Sequence, residues 1–283
     1  MVMLRLWLNH VDAWGATLVI ALLAMILHHR LTPQHALLAA ALALGYWLAF
    51  ALNDYFDAPF DAQDPRKAGR NYFADSGRRN GRFPVIAILS ALFITAVFFN
   101  YGTRGLGLLL LGLLIMWAYS APPLRLKNVP IIDLLTHTLF VETFPYAVTI
   151  ILTQSTWQTV DYFILLMLAL ASLTAQLEQQ LRDYNVDKET GGTFATWAGK
   201  QTTNRLLQLS TAVLIGTAVT AVATQQIPLW LIPFGLIALP ALTHRFFRPP
   251  HHPRSERLVL FSVAIGIGYM ALLLITHLTG TAP

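Results

Sequence analysis

The chain has 283 residues, of which 55% are hydrophobic and only 12% are charged, and this composition excludes an ordinary soluble domain of that length. Cysteine is absent, which excludes disulfides, zinc–thiolate sites, iron–sulfur clusters and thiol catalysis. The formal net charge is +5. In a membrane protein such a charge indicates topology and contact with anionic lipid headgroups, so we expect membrane lipids and no nucleic acid as partners.

Nine apolar windows are long enough to cross roughly 30 Å of hydrocarbon at about 1.5 Å per residue. The first window ends in His28, His29 and Arg30 and not in a cleavage site, so it predicts a retained span and no signal peptide. The sequence therefore predicts an all-α integral membrane protein, with one domain over residues 1–283 and nine transmembrane helices in a bundle. The windows cover residues 13–28, 35–53, 84–101, 104–121, 131–153, 158–182, 203–223, 227–247 and 256–278.

The distribution of basic residues predicts the orientation. Of the 19 lysines and arginines, all except Arg30 and Arg104 lie near the N-terminus or in the connections that follow the even-numbered windows. The positive-inside rule therefore places the N-terminus and these connections in the cytoplasm, and Pro283 on the opposite side. Two long cytoplasmic loops, residues 54–83 and 183–202, carry most of the acidic groups and are expected to cap a central cavity in the bundle.

A row of acidic residues follows the second window. Asn53, Asp57 and Asp61 are spaced i, i+4, i+8, and Asp54 comes three residues before Asp57, so a helix would place them on one side. Like charges repel, and binding of a shared divalent cation is the simplest way to offset the repulsion between these carboxylates. Oxygen donors suit Mg²⁺. Pro59 predicts that the helix ends near Ala58 and leaves Asp61 on a loop.

A second acidic pair ends the sixth window, where Asp183 and Asp187 share a helical face. Two carboxylate clusters across a cavity, with basic residues in the same loops, are what a diphosphate bound through Mg²⁺ requires. The simpler interpretation is that membrane helices end in solvated charges.

These two motifs and the segment YSAPPLRLK at residues 119–127 resemble the UbiA superfamily of intramembrane prenyltransferases. The resemblance implies Mg²⁺-dependent transfer of a prenyl group from an isoprenyl diphosphate to an apolar or aromatic lipid acceptor, with release of pyrophosphate. It implies Asn53, Asp54, Asp57, Asp61, Asp183 and Asp187 as the metal and diphosphate set, with Tyr119, Arg125 and Lys127 as contacts of the leaving group.

The loop after the first motif reads DPRKAGRN at residues 64–71. It is more similar to members that act on carotenoids, such as lycopene-elongase-like enzymes, than to the Arg-Pro-x-x-x-Gly loop of quinone-type members. Arg66, Lys67 and Arg70 would bind diphosphate or serve only as positive-inside residues.

The fifth window contains Asp133, His137 and Glu142. Ionisable groups are costly inside a membrane and usually face the bundle interior. His137 and Glu142 are candidates for acceptor binding or proton acceptance, and the alternative is polar contact between helices. Asp133 and His137 are four residues apart and could pair.

Two other functions are alternatives. A multi-span transporter with a charged cytoplasmic gate would explain the ionisable groups of the fifth window, although transporters tend to place charged sites near the midplane in broken helices. A CDP-alcohol phosphotransferase also uses aspartates at a membrane surface, but its Asp-Gly and Ala-Arg motif is not found in this sequence.

Overall fold

The computed structural model describes residues 10–63, 68–69, 71–74, 82–190, 192–249 and 255–280, with only the backbone at residues 82, 189, 190 and 256. Within these ranges every regular element is a helix. In chain order they are α1 (Val11–Leu27), α2 (Pro33–Asp61), α3 (Arg82–Phe99), α4 (Gly102–Ser120), a 3-10 turn (Leu126–Asn128), α5 (Ile132–Thr138), a π-helical segment (Leu139–Thr143), α6 (Phe144–Leu152), α7 (Thr159–Thr190), α8 (Phe194–Ala198), α9 (Lys200–Ala223), a second 3-10 turn (Leu229–Leu231), α10 (Ile232–Phe247) and α11 (Glu256–Leu278).

Each predicted window overlaps one of these helices or, for 131–153, the continuous segment from α5 through α6. Seven helical segments in the described part of the chain are long and apolar enough to cross a membrane, and α1 and α3 are shorter apolar helices. The all-helical fold is thus confirmed. The count of nine crossings and the central cavity stay predictions.

The chain divides into two compact units. The N-terminal unit comprises residues 1–126 and 148–155, and the C-terminal unit comprises residues 127–147 and 156–283. The prediction of one domain over the whole chain stays a prediction.

In the N-terminal unit, α2 packs against α1, α3 and α4. α1 and α2 both bury alanines completely, among them Ala21 and Ala41. Small side chains let helix backbones approach closely, which is how membrane helices gain packing without a hydrophobic driving force between them. Near the C-terminal end of α2, Trp47 and Ala51 form a core with Tyr72, which anchors the segment that follows the helix.

The second helix extends further than predicted. α2 continues through Pro59 to Asp61, so the prediction that it ends near Ala58 and leaves Asp61 on a loop is wrong. Two side-chain hydrogen bonds stabilise the turn beyond the proline: Gln63 donates locally to the Pro59 carbonyl at 3.0 Å, and Asn71, ten residues further on, donates to the Asp61 side chain at 2.8 Å. These bonds stabilise a last turn that proline alone disfavours.

The helix of the sixth window, α7, is also longer than predicted. α7 runs to Thr190, and α8 and α9 follow closely, so residues 183–202 are mainly helical and not a long loop. The extension is stabilised by α8, which packs against α7. The side chain of Gln180 accepts a hydrogen bond from the Ala195 N–H at 3.0 Å, which ties the start of α8 to α7. Asp183 and Asp187 therefore lie on a helix, one turn apart.

α7 is the central helix of the C-terminal unit and packs against α5, the π-helical segment, α8 and α9. Its buried face combines an apolar cluster around Leu177 and Leu207 with ionic contacts. Glu178 binds both Arg245, at 3.0 Å, and Arg248, at 2.5 Å, and all three side chains are at most 10% exposed. Arg245 also donates to the Thr211 hydroxyl at 3.2 Å. This network connects α7 with α9 and the end of α10.

Replacing Glu178 with alanine is expected to destabilise the C-terminal unit strongly. The substitution leaves two buried guanidinium groups without their shared carboxylate, and breaking a buried ion pair costs about 3–5 kcal/mol. Thermal unfolding of the detergent-purified protein should show a clearly lowered midpoint for E178A and a smaller loss for E178Q. The exposed Asp12 provides the control, since D12A should have the same unfolding midpoint as the wild type. Equal midpoints for E178A and D12A would contradict this role.

Candidate active site

The last two turns of α2 present a row of polar side chains that begins at Asn53 and Asp57. Asn53 donates to Asp57 Oδ2 at 3.1 Å, and the Ser120 hydroxyl at the end of α4 donates to Asn53 Oδ1 at 3.3 Å. The other oxygen of Asp57 receives a hydrogen bond from Arg125 at 2.7 Å. The expected grouping of Asn53, Asp57 and Arg125 is therefore present in the N-terminal unit.

Arg125 is held in a strained and specific position. Its φ angle is +41°, in a region that L-residues other than glycine seldom adopt. Its guanidinium lies 4.6 Å from the centre of the Phe60 ring, and its backbone N–H donates to the Ala121 carbonyl at 3.0 Å. Its Nε atom is buried without a hydrogen-bond partner among the described residues. The side chain thus reaches Asp57 with one donor still available.

Asp54, on the same helix face, is buried and binds a residue from before α1. His10 donates to the carboxylate of Asp54, whose oxygens lie 3.1 and 3.2 Å from Nε2, and its ring stacks on Phe50 at 4.7 Å. Burial lowers the pKa of His10, but the hydrogen bond and negative charge of Asp54 outweigh burial, and the net pKa is raised above its ordinary value. A protonated His10 would therefore offset the charge of Asp54.

Asp61 is bound by Asn71, which follows α2 in the sequence by ten residues. The Asn71 amide donates to Asp61 at 2.8 Å and to the Asp54 carbonyl at 2.7 Å, and its oxygen accepts the Phe73 N–H at 2.8 Å. Asn71 is buried. It connects the last turn of α2 to the segment that follows it.

The three carboxylates of α2 are therefore compensated by protein groups: Arg125 for Asp57, His10 for Asp54 and Asn71 for Asp61. The sequence argument that a cation must justify their gathering is too strong, because hydrogen bonds and an ion pair already offset their repulsion. The described residues contain no group of three or more His, Asp or Glu arranged to hold a metal ion.

The donor chemistry nevertheless fits Mg²⁺. The row offers carboxylate oxygens, which are the ligands that Mg²⁺ prefers, and Mg²⁺ typically uses only one or two carboxylates together with water and substrate phosphates. A preformed cage of three protein carboxylates is not required. The partners of these carboxylates seen here are side-chain hydrogen bonds and ion pairs, which are exchangeable contacts.

The second motif lies in the C-terminal unit on α7. Asp183 receives two hydrogen bonds from the neighbouring Arg182, at 3.1 and 3.3 Å. Lys200, the first residue of α9, donates to Asn185 at 3.1 Å and lies 4.6 Å from the centre of the Tyr184 ring. Asp187 follows Asp183 by one helical turn. Carboxylates and basic groups thus occur together at this end of α7, as predicted.

The ionisable residues of the fifth window contact α7. Asp133 is buried and accepts hydrogen bonds from Gln176, at 2.9 and 3.2 Å, and from Gln180, at 2.5 Å. His137 Nδ1 lies 3.0 Å from the Ser172 hydroxyl, which donates to the His137 carbonyl at 2.9 Å. These bonds favour polar contact between helices as the role of His137. Glu142 lies in the π-helical segment, a feature often found at functional sites.

The remaining predicted residues are placed as follows. Tyr119 is half-buried in the last turn of α4, and Lys127 is half-buried in the 3-10 turn that follows. Arg66, Lys67 and Arg70 lie outside the described residues. Sequence reasoning missed His10, Asn71 and Ser120 as partners of the aspartate row, because neither charge nor helical spacing connects them with α2. The only signal was that Ser120 lies in the segment YSAPPLRLK and Asn71 in the segment DPRKAGRN.

The fold and the side chains define the class of protein: a helical membrane protein with rows of carboxylates at the ends of two helices. Residues 13–270 match the UbiA prenyltransferase family, and the chain belongs to that family. It is an integral multi-pass membrane protein and a prenyltransferase.

One curated relative and two solved structures illustrate the match. The lycopene elongase/hydratase of Corynebacterium glutamicum is 28% identical over 200 residues, which cover 70% of this chain and 68% of that protein. A UbiA homologue from Archaeoglobus fulgidus bound to GPP and Mg²⁺ has a TM-score of 0.72 and 18% identity, covering 96% of both chains. The apo structure of a UbiA homologue from Aeropyrum pernix K1 has a TM-score of 0.71 and 13% identity, covering 95% of this chain and 99% of that one. At these identities the structures show the fold alone.

Replacing Arg125 is expected to impair prenyl transfer. Loss of a charge-assisted hydrogen bond corresponds to about 1.5–3 kcal/mol, so R125A should lower kcat/KM by roughly 10- to 100-fold. R125K should recover part of the activity, because it keeps the charge but loses the planar guanidinium. Steady-state assays with R205A, at an exposed arginine of α9, as the control would measure this. Wild-type kcat/KM in R125A would exclude Arg125 from the site.

Proposed function

We propose that this prenyltransferase is Mg²⁺-dependent and moves a prenyl group from an isoprenyl diphosphate to an apolar lipid acceptor, releasing pyrophosphate. The observation that carries the proposal is the polar row on α2, where Asp54, Asp57 and Asp61 stand on one helical face. Their present partners are protein donors that a metal–diphosphate complex would replace. The similarity to a UbiA homologue that binds GPP and Mg²⁺ supports it.

Each residue has a definite task in this proposal. Asp54, Asp57 and Asp61 of α2, with Asp183 and Asp187 of α7, would hold Mg²⁺, which when bound neutralises negative charge on the diphosphate. Arg125 would exchange Asp57 for a diphosphate oxygen at Nη2, and its Nε, which has no partner in the described structure, would supply a second donor. Tyr119 and Lys127 would contact the same leaving group, and Arg66, Lys67 and Arg70 would add positive charge.

The bond changes are simple to state. The bond between the allylic carbon and the diphosphate oxygen breaks, and its electron pair leaves with pyrophosphate. A π-electron pair of the acceptor forms the new carbon–carbon bond, and the resulting cation loses a proton, either directly or after a water molecule has added to it. Arg125 stabilises charge on the leaving group, which is the step where positive side chains contribute most. We propose Glu142 as the proton acceptor, because it is an ionisable group in an irregular helical segment.

We propose a carotenoid-like polyene as the acceptor and keep an aromatic quinone precursor as the second candidate. The support is the similarity to a lycopene elongase/hydratase and the DPRKAGRN loop. We also propose that the N-terminus and the aspartate motifs face the cytoplasm and the C-terminus the other side. The native chain lacks cysteine, so labelling of single introduced cysteines from outside intact cells would test that orientation.

Removing one aspartate of either motif should abolish turnover. Pyrophosphate release from a long isoprenyl diphosphate in detergent should fall by about a hundredfold or more in D57A and in D183A, and excess EDTA should have the same effect until Mg²⁺ is restored. D12A removes an exposed carboxylate of the N-terminal unit and should keep full activity.

Undiminished turnover in D57A and D183A, or in EDTA, would rule out the mechanism. The transporter alternative gives a different result: uptake of a solute into proteoliposomes with no chemical change in that solute. That alternative is worth testing because ionisable groups such as Asp133 are buried within a candidate span.

The acceptor can be identified by mass spectrometry of lipids. Cells that make a linear carotenoid, with and without the protein, should differ by carotenoid species heavier by whole isoprene units, with or without one added water. The D57A variant is the control and should give the lipid profile of cells without the protein. Quinone precursors enlarged by isoprene units, with unchanged carotenoids, would overturn the carotenoid assignment but leave prenyl transfer intact.

A further inference from the structure

A second polar site lies at the other end of the N-terminal unit. A cleft of about 400 Å³ opens between the N-termini of α2 and α4 and the ends of α3 and α6. α2 has 29 residues, so at about 1.5 Å per residue this cleft is roughly 40 Å from Asp61 along the helix. It therefore cannot be part of the aspartate site. Its lining includes Arg30, Gln34, His35, Tyr101, Arg104 and Gln154.

The charge of the cleft is positive. Arg30 and Arg104 come from different connections, and they are the two basic residues that the topology argument places away from all others. Both line this cleft, whose ten lining residues, all of them described, include no carboxylate. α2 and α4 begin here, and helix N-termini favour negative charge. In the proposed orientation this end faces away from the cytoplasm, where the positive-inside rule makes arginines less common.

The walls of the cleft are fixed by internal contacts. His35 donates to the Arg30 carbonyl at 2.5 Å and stacks on Tyr101 at 6.4 Å between ring centres. The end of α6 contributes little negative charge, because the Ser155 N–H already caps the Ile150 carbonyl at 3.0 Å and the Gln154 N–H caps the Ile151 carbonyl at 3.3 Å.

One buried group of the cleft lacks a partner. The Tyr101 hydroxyl is shielded from solvent and has no hydrogen-bond partner among the described residues. Leaving a buried hydroxyl unpaired is costly, and a small movement of the half-buried Tyr101 side chain on binding would bring the hydroxyl to a ligand oxygen in the cleft. The two guanidinium groups can only donate hydrogen bonds, and the hydroxyl is a good donor. All three therefore match the acceptor oxygens of a phosphate group.

We infer that the cleft between the N-termini of α2 and α4 binds a phosphate group through Arg30, Arg104 and Tyr101. The phosphate belongs to an anionic phospholipid headgroup or is free phosphate; both sources share this chemistry. The volume exceeds that of a bare phosphate and accommodates a small headgroup. This inference does not depend on the prenyl-transfer proposal, because the cleft shares no residue with the aspartate site.

The test compares two probes on delipidated, detergent-purified protein. Inorganic phosphate is titrated at constant ionic strength, with the unfolding temperature as readout. Short-chain phosphatidylglycerol is compared with diacylglycerol of the same chain length, which lacks the phosphate, by native mass spectrometry. We expect the protein to retain phosphatidylglycerol over diacylglycerol. R30Q/R104Q should weaken that retention at least tenfold, and R205Q, at an exposed arginine of α9, should leave it unchanged.

The Y101F variant provides an independent test that does not alter charge. Removing a buried hydroxyl that has no partner should not lower the stability of the unliganded protein, yet it should weaken phosphate binding roughly fivefold. A rise in unfolding temperature with inorganic phosphate alone would identify free phosphate as the ligand, and a response only to phosphatidylglycerol would identify the headgroup. The inference would be overturned if wild type, R30Q/R104Q and Y101F bound inorganic phosphate equally well and also bound phosphatidylglycerol equally well.

Discussion

The carboxylates of Asp54, Asp57 and Asp61 lie on one face of α2. The repulsion between them has to be offset for the end of the helix to stay folded. The structure offsets it with a different partner for each: a histidine before α1, an arginine after α4 and an asparagine after α2. Because these partners come from three segments, charge compensation also fixes how the segments meet at the end of α2. In the proposed mechanism, the same donors would become available to a diphosphate when a cation binds the carboxylates.

Hydropathy predicted the helices well, since apolar length is a direct demand of the bilayer. It misjudged where two of them end. Pro59 favours termination, but Asn71 and Gln63 hold the next turn, and Gln180 ties α8 to α7 beyond Asp183. The contacts of Asn71 and Gln180 join residues whose sequence separation carries no periodic signal, while the Gln63 bond to Pro59 is local. The aspartates were found from their spacing, whereas His10 and Ser120 were not, because partners from other segments are set by tertiary packing.

Buried polar groups serve two different purposes in this chain. Asp133 and Glu178 are satisfied by glutamines and arginines, which makes them contacts that join α7 to α5 and α10. Arg125 and Tyr101 each keep a buried donor atom without a partner in the described structure, one near each end of the N-terminal unit, and Arg248 keeps one within the Glu178 network. Unsatisfied donors are costly to bury, but because one occurs in a structural network they do not identify a ligand site by themselves. The two proposed phosphate-binding sites rest on the aspartate row of α2 and on the arginines of the cleft, and the unpartnered donors add support.

The central claim is that the carboxylates of α2 and α7 bind an isoprenyl diphosphate through Mg²⁺. Equilibrium binding of an unreactive isoprenyl thiolodiphosphate tests it most directly, because binding is measured without any acceptor or turnover. Binding should require Mg²⁺ and should weaken at least tenfold in both D57N and D183N, while D12N should bind as wild type does. Tight binding in EDTA, or unchanged affinity in both motif variants, would contradict it.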